Sequence, residues 1–109
     1  MSTEDSQLQI PCRQVAEKLG RGESFRFVDL RGSDFGVVPI DGAEMATEDL
    51  MESLLTLPED AEIVFYCHHG IASLEVAEFF RERGFRRARS MIGGVAAWAR
   101  EVDPGLPSV

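Results

Sequence analysis

IVFYCHHGIASLEVAEFF, residues Ile63 to Phe80, holds a strand, a reactive residue type and a helix in direct succession. Ile63–Tyr66 is a short apolar run rich in β-formers, which predicts a central strand buried on both faces. From Ser73 onward the period changes. Leu74, Ala77 and Phe80 fall on one helical stripe and Val76 and Phe79 widen it, while Glu75, Glu78 and Glu82 face away. Gly84 closes the helix. Between strand and helix stand a cysteine, two histidines, a glycine and small residues. In open α/β sheets, sites lie at the carboxyl ends of strands, and Cys67 occupies that position.

The rest of the chain continues the alternation. PCRQVAEKLGRGE predicts a short helix, with Pro11 in its first turn and Gly20 and Gly22 at its end. SFRFVDL alternates and then runs apolar, as a buried strand does. RGSDFG is a loop, and VVPIDGAEMA allows at most short extended pieces because of Pro39 and the Asp41–Gly42 turn signal. In TEDLMESLLTLP, Thr47 is an N-cap for a helix carrying Leu50, Met51, Leu54 and Leu55, and Pro58 ends the segment. FRRARSMI predicts a further strand with basic residues on an exposed side, and GGVAAWAREV a last helix. The expected fold is α/β: a mostly parallel central sheet of about five strands with helices on both faces. The polar start up to Gln9 is expected to be loosely held. Residues 1–7 are set apart as a flexible N-terminus, 8–103 as one domain and 104–109 as a tail.

At 109 residues and 44% hydrophobic, the chain supports one modest core. There is no run of about 18 apolar residues to cross a membrane. MSTEDSQLQ lacks the basic start and apolar stretch of a secretory signal, so a cytoplasmic location is expected. A net charge of −8 argues against nucleic acid and anionic membrane as partners, and any anion site must be built locally. Two cysteines, Cys12 and Cys67, with no Cys-x-x-Cys, remove the basis for a disulfide scaffold, a thioredoxin-like site or a zinc ribbon.

The CHHGIAS loop suits thiolate chemistry. Unpaired N–H groups at a helix N-terminus lower a thiol pKa. A loop that curls as a cradle points its N–H groups at whatever the sulfur carries. Gly70 permits a backbone angle or a close approach that a side chain would block.

The loop resembles that of rhodanese-like (sulfurtransferase) domains, of the form Cys-x-x-Gly-x-Arg-Ser, with Cys67, Gly70 and Ser73 on its fixed positions. FVDLR (Phe27–Arg31), Gly42–Ala43, ERGF (Glu82–Phe85) and MIGGVAAW (Met91–Trp98) match further motifs of that family in order, so the resemblance runs from about Leu8 to Val102. It implies a cysteine that takes sulfane sulfur from a donor such as thiosulfate, holds it as a persulfide and passes it to cyanide or a thiol. Cys67 is then the catalytic residue, and His68, His69, Gly70, Ile71, Ala72 and Ser73 form the substrate-binding loop. Asp29 and Arg31 are a strand-end ion pair that braces it. Two departures stand out. Ala72 replaces the loop arginine, which would supply charge and fixed donors to an anionic donor. Pro39 stands where the family often has histidine, in a loop one residue short. Weakened activity with thiosulfate is therefore expected, or preference for a neutral or protein-bound persulfide.

Other readings are set aside on spacing. A Cys-x5-Arg phosphatase needs arginine where Ser73 stands. Adjacent residues such as Cys67, His68 and His69 rarely converge on one ion, so no metal and no cofactor are expected. The histidines are instead expected to offset the missing arginine by partial protonation. Cys12 is expected to pack, Met45, Met51 and Met91 to fill the core, and the Gly93–Gly94 pair with Trp98 to bring the last helix close to the sheet. The run Arg81–Arg89 is a solvated basic face or a docking surface. The alternative to the enzyme is a rhodanese-fold module for interaction, sulfur storage or redox sensing. Expected partners are a small sulfur donor and a thiol or cyanide acceptor, with a protein partner as a further option.

Overall fold

The computed structural model describes residues 7–32 and 37–106. Strands and helices alternate along the chain: β1 (Gln9–Ile10), α1 (Cys12–Gly20), β2 (Arg26–Asp29), β3 (Glu44–Met45), α2 (Glu48–Leu54), β4 (Ile63–Tyr66), α3 (Ala72–Glu82), β5 (Ala88–Met91) and α4 (Gly94–Glu101). The strands form one sheet in the order β1-β5-β4-β2-β3, with every pairing parallel. Parallel strands need crossovers, and the helices supply them while covering both faces.

The sheet divides the core in two. Val64, Tyr66 and Met91 pack on one face with Val15 of α1 and Val95 and Trp98 of α4. Ile63, Phe65 and Ala88 pack on the other with Leu54 of α2 and Ala77 and Phe80 of α3. This is the side-chain alternation of a strand, and β4 is buried along its whole length as its composition predicts. Thr47 caps α2 as expected, accepting the Leu50 N–H at 3.1 Å.

Two expectations are corrected. Leu8–Ile10 belong to the sheet: Gln9 and Ile10 pair with Ser90 and Met91, and Leu8 O accepts the Ser90 N–H at 2.8 Å, while residues 1–6 of the expected flexible start lie outside the described residues. A two-residue edge strand has no periodicity to read, and its existence depends on β5 lying beside it. The basic segment is also not an exposed strand. β5 is buried throughout, and Arg89 is 1% exposed. Its charge is met by Glu62, which also holds Lys18 at 2.8 Å and Arg87 at 3.3 Å. Arg81 is drawn into the carbonyls of Ala88 and Gln7. The basic run is thus largely spent on internal contacts. In the RGSDFG loop, residues 33–36 lie outside the described residues. No helix among the described residues is long and apolar enough to cross a membrane.

Candidate active site

From β2 the chain passes to the outer strand β3, whereas from β4 it passes the other way, to β5. The carboxyl ends of β2 and β4 therefore flank the point where the winding reverses, where ligands bind in such sheets. Cys67 follows β4 at that point. It lies on the α2–α3 face, because it continues the alternation of Ile63 and Phe65.

The loop from Cys67 to Ile71 turns back on the sulfur. Cys67 Sγ accepts the Gly70 N–H at 3.2 Å and the Ser73 N–H at 3.3 Å. Helix α3 begins at Ala72, and its N-cap residue Ile71 provides no side-chain cap. The sulfur takes that place, satisfying an N–H that the helix itself leaves open. The thiol lies 3.3 Å from Ser73 Oγ, which lies 2.7 Å from Ser90 Oγ, and both serines are fully buried. Burial of Cys67 pushes its pKa up. The Ser73 hydroxyl and the N–H groups of Ser73, Gly70 and His69 outweigh that push, and the thiol is held below its ordinary value. Cys67 as a whole is 7% exposed. The arrangement stabilises negative charge on the sulfur through backbone N–H groups and the Ser73 hydroxyl.

The loop is held from behind by α4. Val95 N–H donates to Cys67 O at 2.9 Å and Ala96 N–H to His68 O at 3.1 Å. These N–H groups are the open donors of a helix start, and using them on the loop leaves no room for a side chain. A Cβ on Gly94 (φ +61°) would stand 2.4 Å from Cys67 O, and one on Gly70 (φ +92°) would stand 2.9 Å from Gly93 N. The last helix packs on the sheet as expected, through Val95 and Trp98, and the double glycine also seats its start on the cysteine loop.

Asp29 and Arg31 form the expected pair, with Arg31 Nη2 2.7 Å from Asp29 Oδ2. Sequence reasoning missed the residue that ties them to the site. Tyr66 donates its hydroxyl to Asp29 Oδ2 at 2.8 Å and accepts the Ile40 N–H at 2.9 Å, while Arg31 also donates to Val38 O. The Asp29–Arg31 pair thus braces the 37–40 segment and the residue just before Cys67. Burial pushes the Tyr66 phenol well above its ordinary value, so it stays a donor. The signal was a phenol in a strand buried on both faces, which must find partners. Ser90, a hydroxyl in a buried strand, carried the same signal. His68 is half-buried and His69 exposed, and their rings stack with centroids 4.0 Å apart. Ile71 is 73% exposed at the loop tip, and Ala72 is exposed beside it. Cys12 is 1% exposed on the opposite face, and burial, with Glu101 nearby, pushes its thiol up to about 11. It packs in the core cluster as expected.

The family model of the rhodanese-like domain matches residues 12–101. The chain is 32% identical over 101 residues to the probable adenylyltransferase/sulfurtransferase MoeZ of Mycobacterium tuberculosis, covering 89% of this chain and 26% of that protein. It therefore spans about a quarter of that relative. It is 34% identical over 83 residues to the thiosulfate sulfurtransferase GlpE of Shewanella oneidensis, covering 74% of this chain and 82% of that one. Among solved structures, the human single domain sulfurtransferase TSTD1 superposes with a TM-score of 0.72 at 21% identity, over 87% of this chain and 97% of that one.

Proposed function

The chain belongs to the rhodanese-like domain family, and from that membership we propose that it is a sulfurtransferase whose Cys67 carries sulfane sulfur as a persulfide. The observation that carries this reading is the sulfur at the α3 N-terminus, accepting two N–H groups and facing a buried hydroxyl. With thiosulfate as donor, the Cys67 thiolate attacks the outer sulfur. A new S–S bond forms, the donor S–S bond breaks, and sulfite leaves with the electron pair. The terminal persulfide sulfur then passes to cyanide as thiocyanate, or to a thiol, and the Cys67 thiolate returns. The loop N–H groups hold negative charge on sulfur in each state. The naming of MoeZ and GlpE as sulfurtransferases supports the reaction class.

Ala72 shapes the choice of donor. Thiosulfate carries two negative charges, the protein carries −8, and the loop position that holds arginine in the family brings no charge. Turnover with thiosulfate is accordingly weak, and a neutral or protein-bound persulfide is the better donor. The same residue favours a second reading, a rhodanese-fold module in which Cys67 is modified but does not turn over.

Intact mass after incubation with thiosulfate, followed by thiocyanate release on adding cyanide, separates the two. A one-sulfur adduct that discharges repeatedly, absent in Cys67→Ser, supports the enzyme. No adduct, with Cys67→Ser indistinguishable from the natural protein, overturns it. Ala72→Arg restores one charge-assisted contact and should raise thiosulfate turnover by about tenfold or more.

A further inference from the structure

Among the described residues, the exposed large apolar side chains are Val38, Leu55, Ile71, Phe79 and Ile92. Leu55 and Phe79 line a groove of about 540 Å³ between α2 and α3, floored by Met51 and Val76. Its walls are apolar, and its charged lining residues are the carboxylates Glu48, Glu52 and Glu75. The groove's upper end, at Glu75, lies one helical turn from the cysteine loop, since the Glu75 N–H donates to Ile71 O. Ile71 has helical dihedrals, so Ile71, Glu75 and Phe79, four residues apart, stack along one face of α3. Glu48 and Glu75 lie in the first turns of their helices, at the carboxyl edge of the sheet where Cys67 sits. Arg83 stacks on the Phe79 ring at 3.5 Å and marks the far end. An apolar strip with acid at its upper end thus leads away from the mouth of the Cys67 cradle.

Two occupants from the chain itself fit poorly. Its own start, MSTEDSQ, is acidic. Most of the basic run of a second copy is already engaged, with Arg81 on backbone carbonyls, Arg83 on the Phe79 ring and Arg87 and Arg89 on Glu62, and Arg86 stands exposed beside them. We propose that the α2–α3 groove docks a basic, amphipathic segment of another protein, which presents its sulfur-bearing cysteine to Cys67. Apolar side chains of that segment fill the floor, and its lysines or arginines meet Glu48, Glu52 and Glu75 near the cradle. The proposal rests on Cys67 being a working nucleophile, and it supplies a substrate for a site that has lost the cation for small anions.

Thiol–disulfide exchange tests it on the whole protein. Helical peptides carrying one cysteine are activated as 2-thiopyridyl disulfides. The Cys67 thiolate attacks the peptide sulfur, forms a Cys67–S–S–peptide bond and expels pyridine-2-thione, whose absorbance gives the rate. Cys67→Ser supplies the background. A peptide with leucines on one face and lysines on the other should react about tenfold faster than its glutamate counterpart. That preference should collapse in the Glu48→Lys, Glu52→Lys, Glu75→Lys triple variant. It should persist in a control of equal net charge, Glu17→Lys, Asp60→Lys, Glu101→Lys. Phe79→Ser should slow the leucine–lysine peptide but not a peptide of lysine and serine. Equal rates for the two charge types, or equal loss of preference in both triple variants, overturns the docking site. Self-association in sedimentation that Glu52→Lys abolishes also overturns it, by making a second copy the occupant. Reaction with 2,2′-dithiodipyridine reads Cys67 alone. Normal reaction there with no peptide preference sinks only the groove, whereas no reaction sinks the nucleophile and the groove with it.

Discussion

Ser73 presents two groups to one sulfur: its N–H donates at 3.3 Å, and its hydroxyl oxygen accepts the thiol S–H at the same distance and turns to donate once the thiol ionises. The two can be separated. Ser73→Ala keeps the N–H and removes the hydroxyl, so the thiolate loses a charge-assisted contact and the thiol only a weak neutral one. The Cys67 midpoint therefore moves up. The rate of alkylation by iodoacetamide against pH should keep its shape and shift to higher pH, with the plateau little changed. A shift to lower pH would mean that the hydroxyl favours the thiol. Cys67, Gly70 and Ser73 were legible because a nucleophile between a strand and a helix has few structures open to it. Ser90 and Tyr66 were not placed, although each was a buried polar group in need of a partner. Ser90 reaches Ser73 from a strand 17 positions away, and Tyr66 reaches Asp29 across 37. Contacts of that range depend on strand order, which no local pattern encodes.

At the scale of elements, the site is a junction of two helix starts. α3 directs an N–H at the sulfur, and α4 directs two at the carbonyls behind it. The positive ends of both dipoles thereby face the loop that must hold negative charge. This requires Gly94 to approach the loop without a Cβ. Gly94→Ala adds an atom 2.4 Å from Cys67 O in a left-handed backbone conformation, φ +61°. Strain and overpacking together should cost about 2–4 kcal/mol, read from denaturant unfolding. A folded Gly94→Ala protein should also show slower alkylation of Cys67, because the loop is displaced. Gly93→Ala meets the Ala97 side chain instead, so its penalty should fall on stability with less effect on the thiol. The two glycines were visible in the sequence, and the surface they approach was not. The helix's contact with the sheet was expected, and its contact with the cysteine loop was not. β5 was misjudged for a related reason. Its arginines signalled an exposed strand, but an interior place in the sheet buries Arg89 against Glu62.

Over the whole molecule, the two ends of β4 have different roles. Cys67 follows its carboxyl end, while Glu62 precedes its amino end and gathers Lys18, Arg87 and Arg89. The Lys18 side chain is 9% exposed and that of Arg89 1%, so Glu62 is the counter-charge for two cations held out of water. Lys18 keeps Glu23 at 2.7 Å, so Glu62→Ala chiefly takes the carboxylate away from buried Arg89, which should cost about 3–5 kcal/mol. In the fraction that stays folded, the Cys67 alkylation profile should be unchanged, since the strand lies between the two sites. Coupled loss of stability and thiol reactivity would show that the ends communicate.

Alternation of strand and helix, a cysteine at a strand end and a chain of motifs in order were written in the residues. They determined the α/β class, the family and the place of Cys67 between a strand and a helix, because each depends on near neighbours or on order along the chain. Tertiary structure alone decided that the sulfur caps α3 and that α4 stands behind the loop. It also decided that Tyr66 joins Asp29 to the strand carrying Cys67, and that most of a basic run is turned inward. Those facts follow from which strands lie side by side and which helix starts converge, and packing of the whole chain sets both.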